Sequence, residues 1–74
     1  MTRTVALAVV RRVADVTGHT PDELPPLDDT INTEAVNAIG RCDAALLQFV
    51  YWDHTVTVEV RGPGDWRVTA QPVD

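Results

Sequence analysis

Apolar residues near the start of the chain recur with a helical period. Val5, Val9, Val13 and Val16 follow an i, i+4, i+8, i+11 row, with Ala6 and Val10 beside it and Arg11, Arg12 and Asp15 mostly opposite. That spacing predicts an amphipathic helix over residues 4 to 17. Valine is a weak helix former because its branched Cβ loses rotamer freedom, so the helix must be held by burial. Gly18 stands where a left-handed C-terminal cap belongs. Thr20-Pro21 with Glu23 three residues on reads as a capping box with proline at the first helical position. Pro25 and Pro26 stop that turn, which predicts one short turn over 21 to 24 with Leu24 and Leu27 pointing inward. Asn32 is a good N-cap for a second helix. Glu34 lies in its first turn, Ala35, Val36 and Ile39 form its apolar stripe, and Gly40 ends it.

Beyond Gly40 the period changes to two, in the runs LLQFVYW (46–52), HTVTVEV (54–60) and WRVTA (66–70). If Trp52 and Asp53 make a turn, Tyr51 faces His54, Phe49 faces Val56 and Leu47 faces Val58, all on one side. Gln48, Val50, Thr55, Thr57 and Glu59 then share the other side. Coincidence of the apolar side across both strands is what sets a register. The stretch Arg61-Gly62-Pro63-Gly64-Asp65 is a strong turn signal. Pairing Val58 with Val68 places Trp66, Val68 and Ala70 on the same apolar face. The expectation is a two-layer α+β domain, a three-stranded antiparallel meander with two helices packed on one face, in the order α-α-β-β-β. Residues 1–74 read as a single domain, without repeat or low-complexity tract.

The charge pattern narrows the classes of partner. Eleven acidic residues, eight of them Asp, oppose six arginines, and lysine is absent; the net charge is −5. Phosphate-driven nucleic-acid binding and anionic membranes are disfavoured by that field. A carboxylate-rich, lysine-free surface is what a salt-rich cytoplasm favours, because high salt screens self-repulsion; a GC-rich genome would explain Arg over Lys but not the Asp load. No stretch approaches the apolar length of a membrane span, and the N-terminal apolar run precedes its charges, the reverse of a signal peptide. A cytoplasmic location is expected, in keeping with the lone thiol of Cys42.

Two motifs in fixed order carry a family resemblance. The first is Asp22-Glu23-Leu24-Pro25-Pro26-Leu27, after an apolar helix that ends in glycine. The second is the strand pattern Phe49, Tyr51, Val56 and Val58. Over roughly residues 5 to 70 the chain resembles the halobacterial output domain, found alone or attached to receiver and sensor modules in haloarchaeal signalling proteins. The resemblance implies a signalling or regulatory interaction module and carries over no catalytic residue. The chain departs from the family pattern at Asp53, where a glycine is common, and in the length of the loop at 61–65.

No constellation for catalysis or metal binding converges. His54 beside the first turn could act as a base or pH switch, but a polar residue flanking a hairpin is the plainer reading. His19, Cys42 and Asp43 lack the paired spacing of a zinc site, and no cofactor is expected. Cys42 next to Arg41 could be a reactive thiol; the alternative is a small, semi-buried residue. Asp28 and Asp29 could chelate a cation, though such a pair more often caps a helix from a solvated loop. Gly62-Pro63-Gly64 is a turn and not a phosphate loop.

What remains are surfaces. Trp52 at a hairpin tip is hard to bury, and Leu46 and Val50 fall on the outer sheet face amid Thr55, Thr57 and Thr69. An exposed indole and a half-apolar open sheet are what a protein partner or a second copy would cover; the alternative is that Trp52 folds back over the helices. The outer strands also present unpaired backbone. Trp52, Val50, Leu46 and Thr57 are therefore the candidate interaction residues. The leading expectation is a non-catalytic signalling module acting through a protein partner or as a homodimer, by its sheet face or edge. The alternatives are a DNA-associated regulator using Arg3, Arg11 and Arg12, and a small-molecule-binding domain.

Overall fold

Thr4 opens the first helix: its hydroxyl accepts from the Leu7 N–H at 3.2 Å, and α1 runs over Val5–Thr17. The computed structural model describes residues 4–73. Gly18 closes α1 in the left-handed conformation, φ 75°, with its N–H returned to the Ala14 carbonyl. Val5, Val9, Val13 and Ala14 are buried, while Val16 is exposed. A row of fourth residues drifts by about 40° per step on a helix of 3.6 residues per turn. The step of three from Val13 to Val16 reverses that drift and points Val16 between Val5 and Val9, so its exposure belongs to its place in the last turn of α1 and not to its face.

Pro21–Glu23 forms the expected short turn, a 3-10 turn, with the Thr20 N–H donating to the Glu23 carboxylate at 2.9 Å. A second 3-10 turn follows over Leu27–Asp29, which the apolar pattern did not announce. It drives Leu27 into the core and aims Asp28 at the next helix, where its carboxylate accepts from the Thr33 N–H and hydroxyl at 3.2 and 2.7 Å. Helix α2 spans Thr33–Ile39, N-capped by the Asn32 side chain, which accepts from the Ala35 N–H. Asn37 on α2 also accepts from the Ala6 N–H at 2.9 Å, so α2 satisfies one of the free donors at the start of α1.

The strands β1 (Ala45–Tyr51), β2 (His54–Gly62) and β3 (Asp65–Pro72) form one antiparallel sheet in the order β1-β2-β3. The register is the one expected: Leu47 pairs with Val58, Phe49 with Val56, Tyr51 with His54, and Val58 with Val68. The second hairpin is tighter than its five-residue turn signal suggested. Gly62 pairs with Asp65, so only Pro63 and Gly64 lie between the strands, and a bulge between Val60 and Gly62 absorbs Arg61.

Both helices lie on the inner face of the sheet, over a core of Val5, Val9, Val13, Leu27, Val36, Tyr51, Val56, Val58, Val60 and Val68. Helix α1 packs against β3 rather than β1. The inner face of β1 is therefore covered less well: Leu47 and Phe49 are only half-buried, whereas Val56, Val58 and Val60 on β2 are buried. The outer face of the sheet carries no helix among the described residues. The architecture is the two-layer α+β arrangement, in the order α-α-β-β-β.

Candidate functional site

Strand β1 is one edge of the sheet, and it is apolar without being covered. Leu46 is 74% and Val50 56% exposed on the outer face, either side of Gln48. Across the strand, Gln48 donates to the Thr57 hydroxyl at 3.1 Å, and Thr57 itself is half-buried. No residue from 45 to 51 is charged. The two-residue turn makes Tyr51–His54 a hydrogen-bonded pair. Alternation along an antiparallel ladder then directs the N–H and C=O groups of Leu46, Gln48 and Val50 to the free edge. The edge thus presents three residues' worth of unpaired backbone flanked by two exposed apolar side chains.

Trp52 does not belong to that surface. Trp52 and Asp53 both take positive φ, 50° and 60°, as a tight primed turn demands. The indole folds back and meets His19 edge-to-face, with ring centroids 4.9 Å apart and planes at 76°, and it packs against the core cluster. It is half-buried, so the expectation of an exposed indole is corrected. Burying part of a large aromatic surface outweighs leaving it at the hairpin tip.

His54 donates from Nδ1 to the Trp52 carbonyl at 2.8 Å and so braces the turn. Cys42 is exposed rather than semi-buried, its thiol 3.8 Å from the Ala38 carbonyl. Among the described residues, no group of three or more His, Cys, Asp and Glu could hold a metal ion. No helix among them is long and apolar enough to cross a membrane.

A second surface lies at the opposite edge. Between α1 and the β2–β3 hairpin runs an open groove of about 790 Å³, whose lining includes Arg11, Arg12, Arg61 and Arg67. The helix contributes Thr4, Leu7, Ala8, Arg11, Arg12 and Asp15, one face at i, i+3, i+4, i+7, i+8 and i+11. Arg3, the third member of the expected arginine patch, lies outside the described residues.

The two sequence motifs meet in space. Tyr51 is buried at the end of β1, and its hydroxyl donates to the carbonyl of Pro25. A family model described as halobacterial output domain 1 matches residues 1–69 of the 74-residue chain. The chain belongs to the halobacterial output domain 1 family. Searches of curated proteins and of solved structures find no match to it.

In this output domain the sequence alone placed Leu46, Val50 and Thr57 on the outer face and Arg11 and Arg12 on the open side of α1. It missed Arg61 and Arg67 as their companions. Those two sit about 50 positions further along, on β2 and β3, and no local spacing links them to the helix; the only available signal was the arginine beside the hairpin glycines.

Proposed function

We propose that this output domain is a non-catalytic regulatory module of a salt-rich cytoplasm that signals through protein contacts, and that its first contact is with a second copy of itself along β1. The observation that carries this reading is the state of β1: an uncharged edge strand with Leu46 and Val50 exposed on one face and Leu47 and Phe49 half-covered on the other. Unprotected edges of this kind are templates for pairing, and natural proteins ordinarily blunt them with charge, proline or bulges. Strand β3, by contrast, carries Asp65, Arg67 and Pro72.

An antiparallel pairing that uses the whole strand is centred on Gln48. It sets Leu46 against Val50 of the other copy, and apolar cross-strand pairs of this kind are favourable. The result is a six-stranded sheet, and the added burial supports a domain whose own core is small. The same register brings Asp43 towards Asp53 of the other copy at each end. Those like charges repel at low ionic strength and are screened at about 1 M salt, where the Debye length falls to about 3 Å. Association through β1 therefore strengthens with salt.

Sedimentation or light scattering at low and at molar salt tests this. The expected result is a dimer mass that grows with salt in the wild type and a monomer for Val50→Lys and Leu46→Lys. A wild type that stays monomeric at molar salt, or Val50→Lys with an unchanged dimer mass, removes the reading.

A further inference from the structure

The groove between α1 and the second hairpin gathers four of the chain's six arginines. With Asp15 and Asp65 also lining it, its local charge is +2 in a chain whose net charge is −5. Arg12 approaches Asp15 at 4.0 Å, with both side chains largely exposed. Among the described residues, Arg11, Arg61 and Arg67 have no carboxylate within ion-pair distance. Like charges gathered in excess of their counter-charges cost free energy in the free protein, and an anion that enters the groove offsets that cost. Arginine adds geometry to charge, since its planar fork holds a carboxylate by two parallel bonds.

The groove also has an apolar side, with Leu7 and Ala8 on the helix and Trp66 and Val68 on β3. It is open along its length rather than enclosed. From Thr4 to Asp15 the helix rises about 16 Å, at about 1.5 Å per residue. An extended chain covers that distance in about five residues, at about 3.3 Å each. An open trough of that length, basic at its rim and apolar inside, matches a short extended segment better than a compact small molecule, which calls for a closed pocket.

We propose that this groove is the docking site for an acidic, extended segment of a partner protein, its carboxylates held by Arg11, Arg12, Arg61 and Arg67 and one apolar side chain seated beside the exposed Leu7. A DNA duplex is the less suitable anion. Its phosphates continue beyond five residues' length into the field of an acidic chain, whereas a short acidic segment ends where the basic lining ends. The site lies at the edge opposite β1 and does not rest on self-pairing. Its salt dependence has the other sign, since binding by ion pairs weakens as salt rises.

Fluorescence anisotropy with a dye-labelled Asp-Glu-Leu-Asp-Glu peptide tests the assignment, with Asn-Gln-Leu-Asn-Gln and a short labelled DNA duplex as comparison probes. The acidic peptide should bind in about 0.1 M salt and more weakly in about 1 M. The double variant Arg11→Gln with Arg67→Gln should bind about tenfold more weakly or worse, as expected when two charge-assisted contacts are lost. Arg41→Gln, exposed and outside the groove, should bind like the wild type. Asp15→Asn frees Arg12 and should tighten binding by about two- to fivefold, the worth of an exposed pair; because it gains affinity, a folding defect cannot imitate it. Failure of the acidic peptide to bind, equal binding of the neutral peptide, equal loss in Arg41→Gln, unchanged or weaker binding by Asp15→Asn, or tighter binding of the duplex would each overturn the proposal.

Discussion

The hydroxyl of Tyr51, at the end of β1, donates to the carbonyl of Pro25 in the proline-bearing connection between the helices. This bond ties the first hairpin to the helix layer across the interior, and it explains why a tyrosine and not a phenylalanine stands there. Tyr51→Phe removes the donor and should cost about 0.5–1.5 kcal/mol, measured by chemical denaturation. Burial also raises the Tyr51 pKa above the ordinary 10.0. A raised pKa in the folded state means that unfolding releases the phenolic proton once the pH passes the unfolded value. The contribution is complete below about pH 10 and is lost as pH rises through the folded value. The wild type should therefore lose stability above about pH 10 more steeply than Tyr51→Phe; parallel curves would show that the phenol does not set this slope.

Gly40 illustrates a role that pattern reading could not supply. It marks the end of α2, but its φ of −63° is open to any residue. What requires glycine is space. A Cβ at this position would lie 2.6 Å from Val5 Cγ2 and 3.3 Å from two atoms of the Trp66 indole, and the Gly40 carbonyl accepts from the Gly64 N–H at 3.0 Å. Gly40→Ala should destabilise by about 1–3 kcal/mol, the usual cost of overpacking. For a domain this small that is a fall in Tm of about 4 °C or more. An unchanged Tm would mean that Val5 and Trp66 give way freely.

Trp52 and Asp53 share a turn and a positive φ, yet substitutions should act in opposite directions. Asp53 is exposed, so Asp53→Gly relieves the left-handed conformation and should stabilise by a few tenths to about 1 kcal/mol. Trp52→Gly relieves the same strain but removes the indole from His19 and the core, and should destabilise. Denaturation midpoints of the two variants should fall on opposite sides of the wild type; two shifts of the same sign would contradict this account.

Glu23 contributes to the acid side of the stability profile. Its carboxylate accepts first from the Thr20 N–H, then from His19 and the Thr20 hydroxyl, and these bonds lower its pKa from the ordinary 4.5. A lowered value means that the contribution is present above about 4.5 and lost as pH falls through the folded value. An NMR titration should place the Glu23 midpoint below 4.5, and Glu23→Gln should flatten the loss of stability in acid. A midpoint at or above 4.5 would dissolve the argument.

The sheet was legible because both strands of the first hairpin alternate in phase. Shifting Leu47, Phe49 and Tyr51 by one residue would expose the whole apolar face, so only one register was available. The caps at Gly18 and Asn32 were equally local, each carried by one residue type with a backbone role. Three things were not fixed. Whether Trp52 stays exposed or returns over the helices is open in the sequence, since no short-range pattern connects it to His19. The turn at Leu27–Asp29 is held by Asp28 reaching Thr33 across a loop. The arginine groove is assembled from α1 and the second hairpin, so its charge is visible only after folding.

The strand order β1-β2-β3 puts the apolar edge and the basic groove at opposite ends of one sheet. Two copies joined through β1 would hold their β3 strands five inter-strand steps apart, about 24 Å at about 4.8 Å per step. Such a pair is bivalent: a partner offering two acidic segments at that span would engage both ends at once, with the second capture intramolecular and its strength set by reach rather than by any new contact. At intermediate ionic strength, where the salt-favoured pairing and the salt-weakened capture both hold, dimerisation would then act as a gain control on partner binding, and Val50→Lys would lower the avidity of a paired ligand while leaving the affinity of a single segment untouched.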